Sequence, residues 1–506
     1  MKRIIYILLM MPCFIVAQNM YNVVPLVDKK LTGTARFIGM GGAMGALGGD
    51  ISVMSSSPAG IALYRSNDAN LTVSADFDAL KAIYNRDKAN SDYTYAAIDN
   101  AGFVLANNID DEYLKFINIG VAYRRCKGIE GNFEMYGIAN GFSQQYEIAR
   151  LYSKSEFPIG NLNYKMYENF GHSWLALLMA EGYYEGYRQG DDFITDARGS
   201  LLWEPTDIGY YSEERGGVDE VDINLSANFA DWLYLGATIG LSYVDYNRYS
   251  CYYENDAKGE IYSIANNYSV KGNGINVKVG AIVRPFRYSP FKIAFSVHTP
   301  TWYELTDRYS ASIAAVDGYI YDTRDEERFY DDLFLKYKFN TPWRFNTSVS
   351  YTFGTSLALC AEYEYADCSS SEFDNRTGAS RAQNDEIEKN LKEQHTFRLG
   401  AEYRLGDFSI RGGYNFQSAP FSKNAYKDMD CANVTDTSTE YMNKFEKNVV
   451  TLGAGYRYNN VYIDVAYMMQ TQKADFYPFY DVEYVNPAAK VRSTGHSLVA
   501  TLGMRF

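Results

Sequence analysis

The closing stretch HSLVATLGMRF, His496–Phe506, decides the fold. Its even positions are apolar: Leu498, Ala500, Leu502, Met504 and Phe506. Its odd positions are small or polar, Ser497, Thr501, Gly503 and Arg505, with Val499 as the exception. A period of two puts the apolar set on one face of a strand. The pattern returns upstream. Leu233, Leu235, Ala237, Ile239, Leu241 and Tyr243 alternate with Tyr234, Thr238, Gly240 and Ser242. Phe397–Leu405, Val450–Arg457 and Val461–Met468 read the same way. Strands of this kind spell an all-β protein, a transmembrane antiparallel β-barrel with lipid outside and a polar lumen inside.

The connections orient the barrel. Short turns fall near Ala230-Asp231, Phe286–Pro290, Phe353–Thr355, Gly406-Asp407 and Asn459-Asn460. Long polar stretches lie between them, at 250–268, 300–335, 368–394, 419–445 and 476–493. Strict alternation of short and long is the signature of periplasmic turns and extracellular loops. Eleven strands follow from Val218 onward, the last ending in the periplasm. With the amino-terminus also placed in the periplasm, an odd number must precede Val218. Asn70–Phe77, Ala97–Ala106 and Leu114–Cys126 supply three, for fourteen in all. Phe133–Ile138 then reads as an extension above the membrane. The insertion 140–216 is expected to form an extracellular cap, with a helix over Asn169–Tyr187.

Bulk composition agrees. Tyr is abundant (47) and Pro scarce (12), as aromatic girdles and long strands require. The mean hydropathy of -0.32 suits a wall that shows lipid only every second residue. Residues 1–17, MKRIIYILLMMPCFIVA, have a basic start and an apolar middle, the pattern of a secretory signal peptide. Losing Lys2 and Arg3 with it takes the formal charge from -14 to -16. An acidic chain of this kind argues against nucleic acid as a partner. Acidic runs such as Tyr321–Asp332 read as solvated outer loops. Five cysteines remain in the mature chain: Cys126, Cys251, Cys360, Cys368 and Cys431. An odd number implies no disulfide framework, and Cys360 reads as a small lumen-facing residue.

The amino-terminal stretch TARFIGMGGAMGALGGDISVMSSSPAGIALY, Thr34–Tyr64, resembles the start of the FadL-like outer-membrane transporters of hydrophobic compounds. That family, which includes TodX, shows a Gly/Ala-rich stretch, an acidic residue, and then Asn-Pro-Ala-Gly. Here the acidic residue is Asp50 and the tetrad is Ser57-Pro58-Ala59-Gly60, with Ser57 in place of Asn. Asn273–Pro285 with Phe291–Tyr303, then Pro342–Tyr365 and His395–Phe416, resemble the family's paired strands. The resemblance implies a hatch at 18–68 plugging a barrel that runs from 69 to 506. It implies passive uptake of a hydrophobic small molecule, long-chain-fatty-acid-like, that leaves sideways through a gap in the wall. It places the chain in the cell outer membrane of a Gram-negative bacterium, in contact with outer-membrane lipid. Gly41, Gly42 and Asp50, with Ser57, Pro58, Ala59 and Gly60, are the expected hatch and gating residues. Glycine tolerates positive φ, and Pro58 fixes its own φ.

Strand parity places many ionisable groups in the lumen. Most are expected to pair across strands and tie the hatch to the wall. Arg284, His298, Arg398, Arg404 and Arg411 are the candidates for holding a ligand's polar group. Phe506 reads as the signal recognised by the barrel-assembly machinery, or as an interfacial anchor. Two alternatives stand beside uptake: a barrel that binds protein partners in secretion or as a scaffold, and a hemin receptor using His172. No G-x-S-x-G elbow and no Cys/His cluster at zinc spacing is present, so neither an enzyme nor a cofactor is expected.

Overall fold

The computed structural model describes residues 19–109, 111–145, 205–259, 261–314, 333–374, 378–427, 436–480 and 487–506. It also describes 147–148, 175, 178, 188–189, 192–193 and 320–322. The signal peptide, the helix expected over Asn169–Tyr187, His172, Cys431 and most of Tyr321–Asp332 lie outside the described residues.

Fourteen antiparallel strands close into one wall. They are β1 (Asp68–Tyr84), β2 (Asp87–Asn108), β3 (Leu114–Gly128, resumed by Gly131–Ile138) and β4 (Pro205–Phe229). Next come β5 (Leu233–Asp256), β6 (Ile261–Val283) and β7 (Lys292–His298, resumed by Trp302–Ala314). Then follow β8 (Leu333–Asn340, resumed by Arg344–Phe353), β9 (Leu357–Asp367), β10 (Glu393–Leu405) and β11 (Phe408–Gln417). The last are β12 (Tyr441–Tyr458), β13 (Val461–Tyr477) and β14 (Ala489–Arg505). β14 returns to β1 in a ladder from Asp68↔Arg505 to Ile83↔Lys490, which leaves no free edge there. Gly131–Ile138 continues β3 along β4, so it is the expected extension and not a fifteenth span.

Burial alternates as the sequence does. Leu498, Leu502 and Met504 face outward with Leu452, Ile463 and Val465, while Ser497 and Thr501 are buried inside. Val499, the exception to the pattern, is buried against Ala35 and Ile38 of the amino-terminal segment. An apolar residue on the lumen face thus marks where something apolar fills the lumen.

That filler is Asn19–Asn67. It contains helix α1 (Met20–Val27), helix α2 (Ala35–Gly39) and two 3-10 segments, Ile51–Ser55 and Pro58–Leu63. Asn19 lies toward the outer end, hydrogen-bonded to Asp436, and the segment descends to Asn67 at the opposite rim. The amino-terminal residues described here therefore do not start at the periplasmic end, as the strand count assumed. The count still holds, because β1 itself begins at that rim, where Asn67 and Phe506 exchange two backbone hydrogen bonds of 3.0 and 3.1 Å.

Three further expectations need correction. The β1–β2 turn lies on the outer side yet has only two residues, Asn85 and Arg86, both at positive φ (45° and 85°). This is the geometry that matches strand twist in a tight hairpin, so short and long connections do not alternate strictly. The stretch 250–268 is mostly strand, interrupted only between Asp256 and Ile261. Its inward residues, Tyr252, Tyr262 and Ile264, join the apolar cluster inside the outer part of the barrel, which holds the strands together there. The stretch 368–394 is likewise not all loop: helix α3 (Gly378–Asn390) buries Ile387, and Leu391 just beyond it, against that same cluster.

The contacts in the half nearer Asn67 and Phe506 can be tested in two ways. A Cβ at Gly236 would stand 2.5 Å from the Pro58 carbonyl oxygen, whereas one at Gly412 meets nothing within 4 Å. Gly236→Ala should therefore destabilise the folded barrel by about 1–3 kcal/mol, and Gly412→Ala should change it little, in thermal unfolding monitored by heat-modifiable mobility. Deleting Phe506 removes both bonds to Asn67 and the terminal aromatic ring. The deletion should lower the amount of assembled barrel in the outer membrane, and an unchanged amount of heat-modifiable protein would contradict that role.

Candidate functional site

A buried irregular segment must find partners for its backbone groups. Here the wall side chains supply them. Thr501 Oγ1 accepts from Ala35 N at 2.8 Å, and Glu362 accepts from Gly45 N at 3.0 Å. Asn118 donates to the carbonyls of Ile61 and Tyr64 at 2.7 and 3.0 Å. Asn224 donates to the Pro58 carbonyl at 3.2 Å, and Ser296 and His298 both hold the Ser56 carbonyl, at 2.6 and 3.0 Å. Charge pairs add to this. Arg36 makes a bidentate pair with Glu402 at 2.9 Å, and Arg411 bridges Glu402 and Asp464 at 2.6 and 2.5 Å. Arg398 bridges Glu362 and Glu364 at 2.6 and 2.9 Å.

The expected site residues fall into distinct places. Gly41 and Gly42 have positive φ (63° and 77°) and lie where the segment touches the wall: a Cβ at Gly413 would be 2.1 Å from Gly41 N. Asp50 caps Ile51–Ser55 by accepting from Ser52 N, and it also accepts from Thr34 Oγ1. Ser57, Pro58, Ala59 and Gly60 are buried against β4 to β6, and Ser57 Oγ has no partner. His298, Arg398 and Arg411 are engaged with the segment or with wall carboxylates. Arg284 and Arg404 sit at turns instead, donating to the carbonyls of Ser289 (2.7 Å) and Gly406 (3.0 Å).

Above these ties a cavity of about 320 Å³ remains open. Helix α1 contributes Tyr21, Asn22 and Val24, and the segment after β11 contributes Pro420 and Phe421. Tyr21 stacks on Phe421 with ring centroids 5.6 Å apart and meets Tyr441 at 5.3 Å. Opposite, Phe476 packs on Phe133 and Tyr210, each at 4.8 Å. Gln394, Gln417, Gln470 and Gln472 line another part, together with charged residues that include Asp28, Lys127 and Lys447 at the foot of α1 and Arg248 and Glu440 on the wall side. The result is an aromatic chamber with a polar side.

The chamber reaches a breach in the wall. β2 pairs with β3 only from Asn100↔Arg124 to Asn108↔Phe116. Beyond that, Asp87–Ile98 has ladder pairing with β1 alone and the rest of β3 with β4 alone. The strands meet again at their outer ends, where Glu134 N donates to Ser91 Oγ at 3.2 Å and Tyr136 to the Lys88 carbonyl at 2.7 Å, so the breach is confined to the stretch between. The two ladders shift register around Asp99 and Cys126, next to where β2–β3 pairing ends. Bulges of this kind twist and bend a strand away from its neighbour. Side chains bridge the breach: Tyr93 and Arg125 both donate to Glu130, at 3.1 and 3.0 Å. Lys30 of the amino-terminal segment reaches Tyr95 at 3.1 Å. The residues Gly128–Phe133 at this point line the chamber.

Charge at the foot of α1 is balanced unevenly. Burial opposes ionisation of Asp28, but Lys447 (3.1 Å) and Lys127 (3.2 Å) outweigh it and hold the carboxyl well below the usual carboxylate range. Lys29 has no carboxylate within bonding reach among the described residues. Burial, reinforced by the charges of Arg344, Lys278 and Arg124 against that of Glu364, pushes its ammonium down to about 7. The docked segment thus holds fewer protons than a released one between pH 7 and the ordinary lysine value of 10.5. Stability of docking should be flat below pH 7 and rise from there toward pH 10.5. Limited proteolysis of the detergent-solubilised protein should release the segment more slowly at pH 9 than at pH 7, and Lys29→Met should remove the difference.

No family model and no curated protein matches this sequence. Solved structures do match. A FadL homologue from Pseudomonas aeruginosa superimposes with a TM-score of 0.55 at 13% identity, covering 94% of this chain and 99% of that one. The toluene transporter TodX of P. putida gives 0.53 at 12% identity, with 94% and 99% covered. The Ralstonia pickettii toluene transporter TbuX gives 0.50 at 14% identity over the same shares, 94% and 99%. The fold is that of the FadL-type barrels.

What sequence reasoning missed is the chamber and the breach. The chamber draws its lining from α1, a loop and strands scattered from β1 to β14. The breach depends on two bulges, and neither Asp99 nor Cys126 stands out locally. The Gly128-Ile-Glu-Gly131 interruption of β3 was the available signal.

Proposed function

We propose that the protein carries hydrophobic small molecules passively across the outer membrane of a Gram-negative bacterium, with Asn19–Asn67 acting as the hatch. The observation that carries this reading is the aromatic chamber enclosed between α1 and the wall and continuous with the breach beside β3. A solidly filled lumen would instead have favoured a partner-binding barrel. The hydrophobic substrates named for the structural neighbours, toluene among them, agree with it. A long-chain-fatty-acid-like molecule is the finer reading of the ligand. It enters from outside, displaces α1 from the rings of Phe421 and Tyr441, and leaves sideways past Gly128–Phe133. Outward-facing residues such as Leu235, Ile239 and Leu241 give the lipid contact, and Phe506 is the residue offered to the barrel-assembly machinery. The hemin alternative gains no support from the chamber, whose lining contains no described histidine.

The breach gives the direct test. A Cβ at Gly131 meets nothing within 4 Å, so a large side chain fits there without breaking the wall. Gly131→Trp should leave heat-modifiable barrel unchanged and reduce uptake of a labelled long-chain fatty acid or toluene by at least fivefold, in cells lacking other channels for it. Undiminished uptake would contradict the sideways route.

A further inference from the structure

A second cavity, of about 410 Å³, opens at the periplasmic mouth of the barrel. Its roof is the hatch at Arg36 and Gly48–Asp50, and its sides are the ends of β10 to β14. Seven cationic side chains line it, against four carboxylates. The whole chain carries a formal charge of -14, so this basin reverses the sign of the molecule locally.

Four of the seven cations are already paired. Arg36 and Arg411 share Glu402, and Arg411 also takes Asp464. Arg505 holds Asp68 at 2.8 Å, and Arg65 holds Asp231 at 2.6 Å. The other three have no carboxylate within 4 Å among the described residues. Arg404 donates only to the Gly406 carbonyl, at 3.0 Å, and Lys292 only to that of Leu47, at 3.3 Å. Arg457 lies against the Tyr462 ring at 5.9 Å, and Arg505, Arg404 and Arg36 are its repelling neighbours. Of the four carboxylates, Glu402 serves two guanidiniums, Asp464 is held by Arg411, and Asp50 is turned onto Thr34 and Ser52, so only Asp407 stands against the three free cations among the described residues.

Cations held together in a recess focus potential and concentrate counter-ions. Guanidinium forks match phosphate oxygens with directed, charge-assisted hydrogen bonds. We propose that this basin binds a phosphate group, held by Arg404 and Arg457 from the wall and by Lys292 beside the hatch. The group belongs to a soluble phosphate compound or to the head group of an anionic phospholipid. The site is independent of the hydrophobic route above, because none of its three free cations lines the aromatic chamber.

The test uses the full chain purified in a neutral detergent and titrated calorimetrically with inorganic pyrophosphate. Wild-type protein should give saturable heat, and the double variant Arg404→Ala/Arg457→Ala should bind at least tenfold more weakly. Lys292→Gln, on a different strand, should weaken binding at least threefold and serves where the double variant does not assemble. No saturable heat from wild-type protein, or equal affinity in a variant with native heat-modifiable mobility, would overturn the proposal. Repeating the titration in nanodiscs separates the two sources, both within the proposal. Phosphatidylglycerol that weakens pyrophosphate binding relative to phosphatidylcholine assigns the head group, and unchanged affinity assigns a soluble phosphate.

Discussion

A fourteen-stranded wall encloses more space than its own side chains can fill, and that constraint organises the molecule. Left open, the lumen would be a water channel. Here it is filled by Asn19–Asn67, which is too irregular to satisfy its own backbone. The buried carbonyls and amides that its short helices and turns leave unpaired must therefore meet a polar side chain from the wall. The polar inner face of the strands consequently has a structural task before it has any other. Asn118, Asn224, Ser296, His298 and Thr501 hold backbone groups of the segment. Arg36, Glu402, Arg411 and Asp464 form one connected set of charges between segment and wall.

The same constraint explains where space is left. In the half nearer Asn67 and Phe506 the segment is packed against the wall by small residues at close approach, such as Gly41 against Gly413 and Pro58 against Gly236. In the outer half only α1 remains, leaning on Phe421 and Tyr441, and the chamber opens beside it. The breach between β2 and β3 sits at that level because the two bulged strands part there. Loose filling and an interrupted wall thus coincide beside α1, while the tied part of the segment separates that chamber from the basin at the mouth.

Much of the wall was legible because period-two alternation is local. The outward residues from Leu233 to Met504, the tight turns at Asp231, Gly406 and Asn459, and the extension Phe133–Ile138 could all be read from neighbouring residues. The outer hairpin at Asn85-Arg86 was missed because its turn carries no glycine. Helix α3 was missed because only Ile387 and Leu391 mark its apolar face within a polar stretch. The candidate site was legible only in part. The glycine-rich stretch and the tetrad announced a compact insert, and strand parity announced inward charges. Which charges pair is a matter of register across separate strands: Arg398 with Glu362 and Glu364, Arg411 with Glu402 and Asp464. No spacing within one strand shows that. Val499 was the clearest overlooked clue, an apolar residue on a polar face that reports the helix packed behind it.

Passive uptake by this route requires the chamber beside α1 to hold an apolar molecule. Native mass spectrometry with organic extraction of the protein, purified from outer membranes in mild detergent, tests it most directly. The account predicts a co-purifying apolar compound in wild-type protein that is lost when Phe421 and Tyr441 are both replaced by polar residues and the barrel remains folded. A wild-type barrel that is empty of apolar compounds and carries a stoichiometric protein would contradict it.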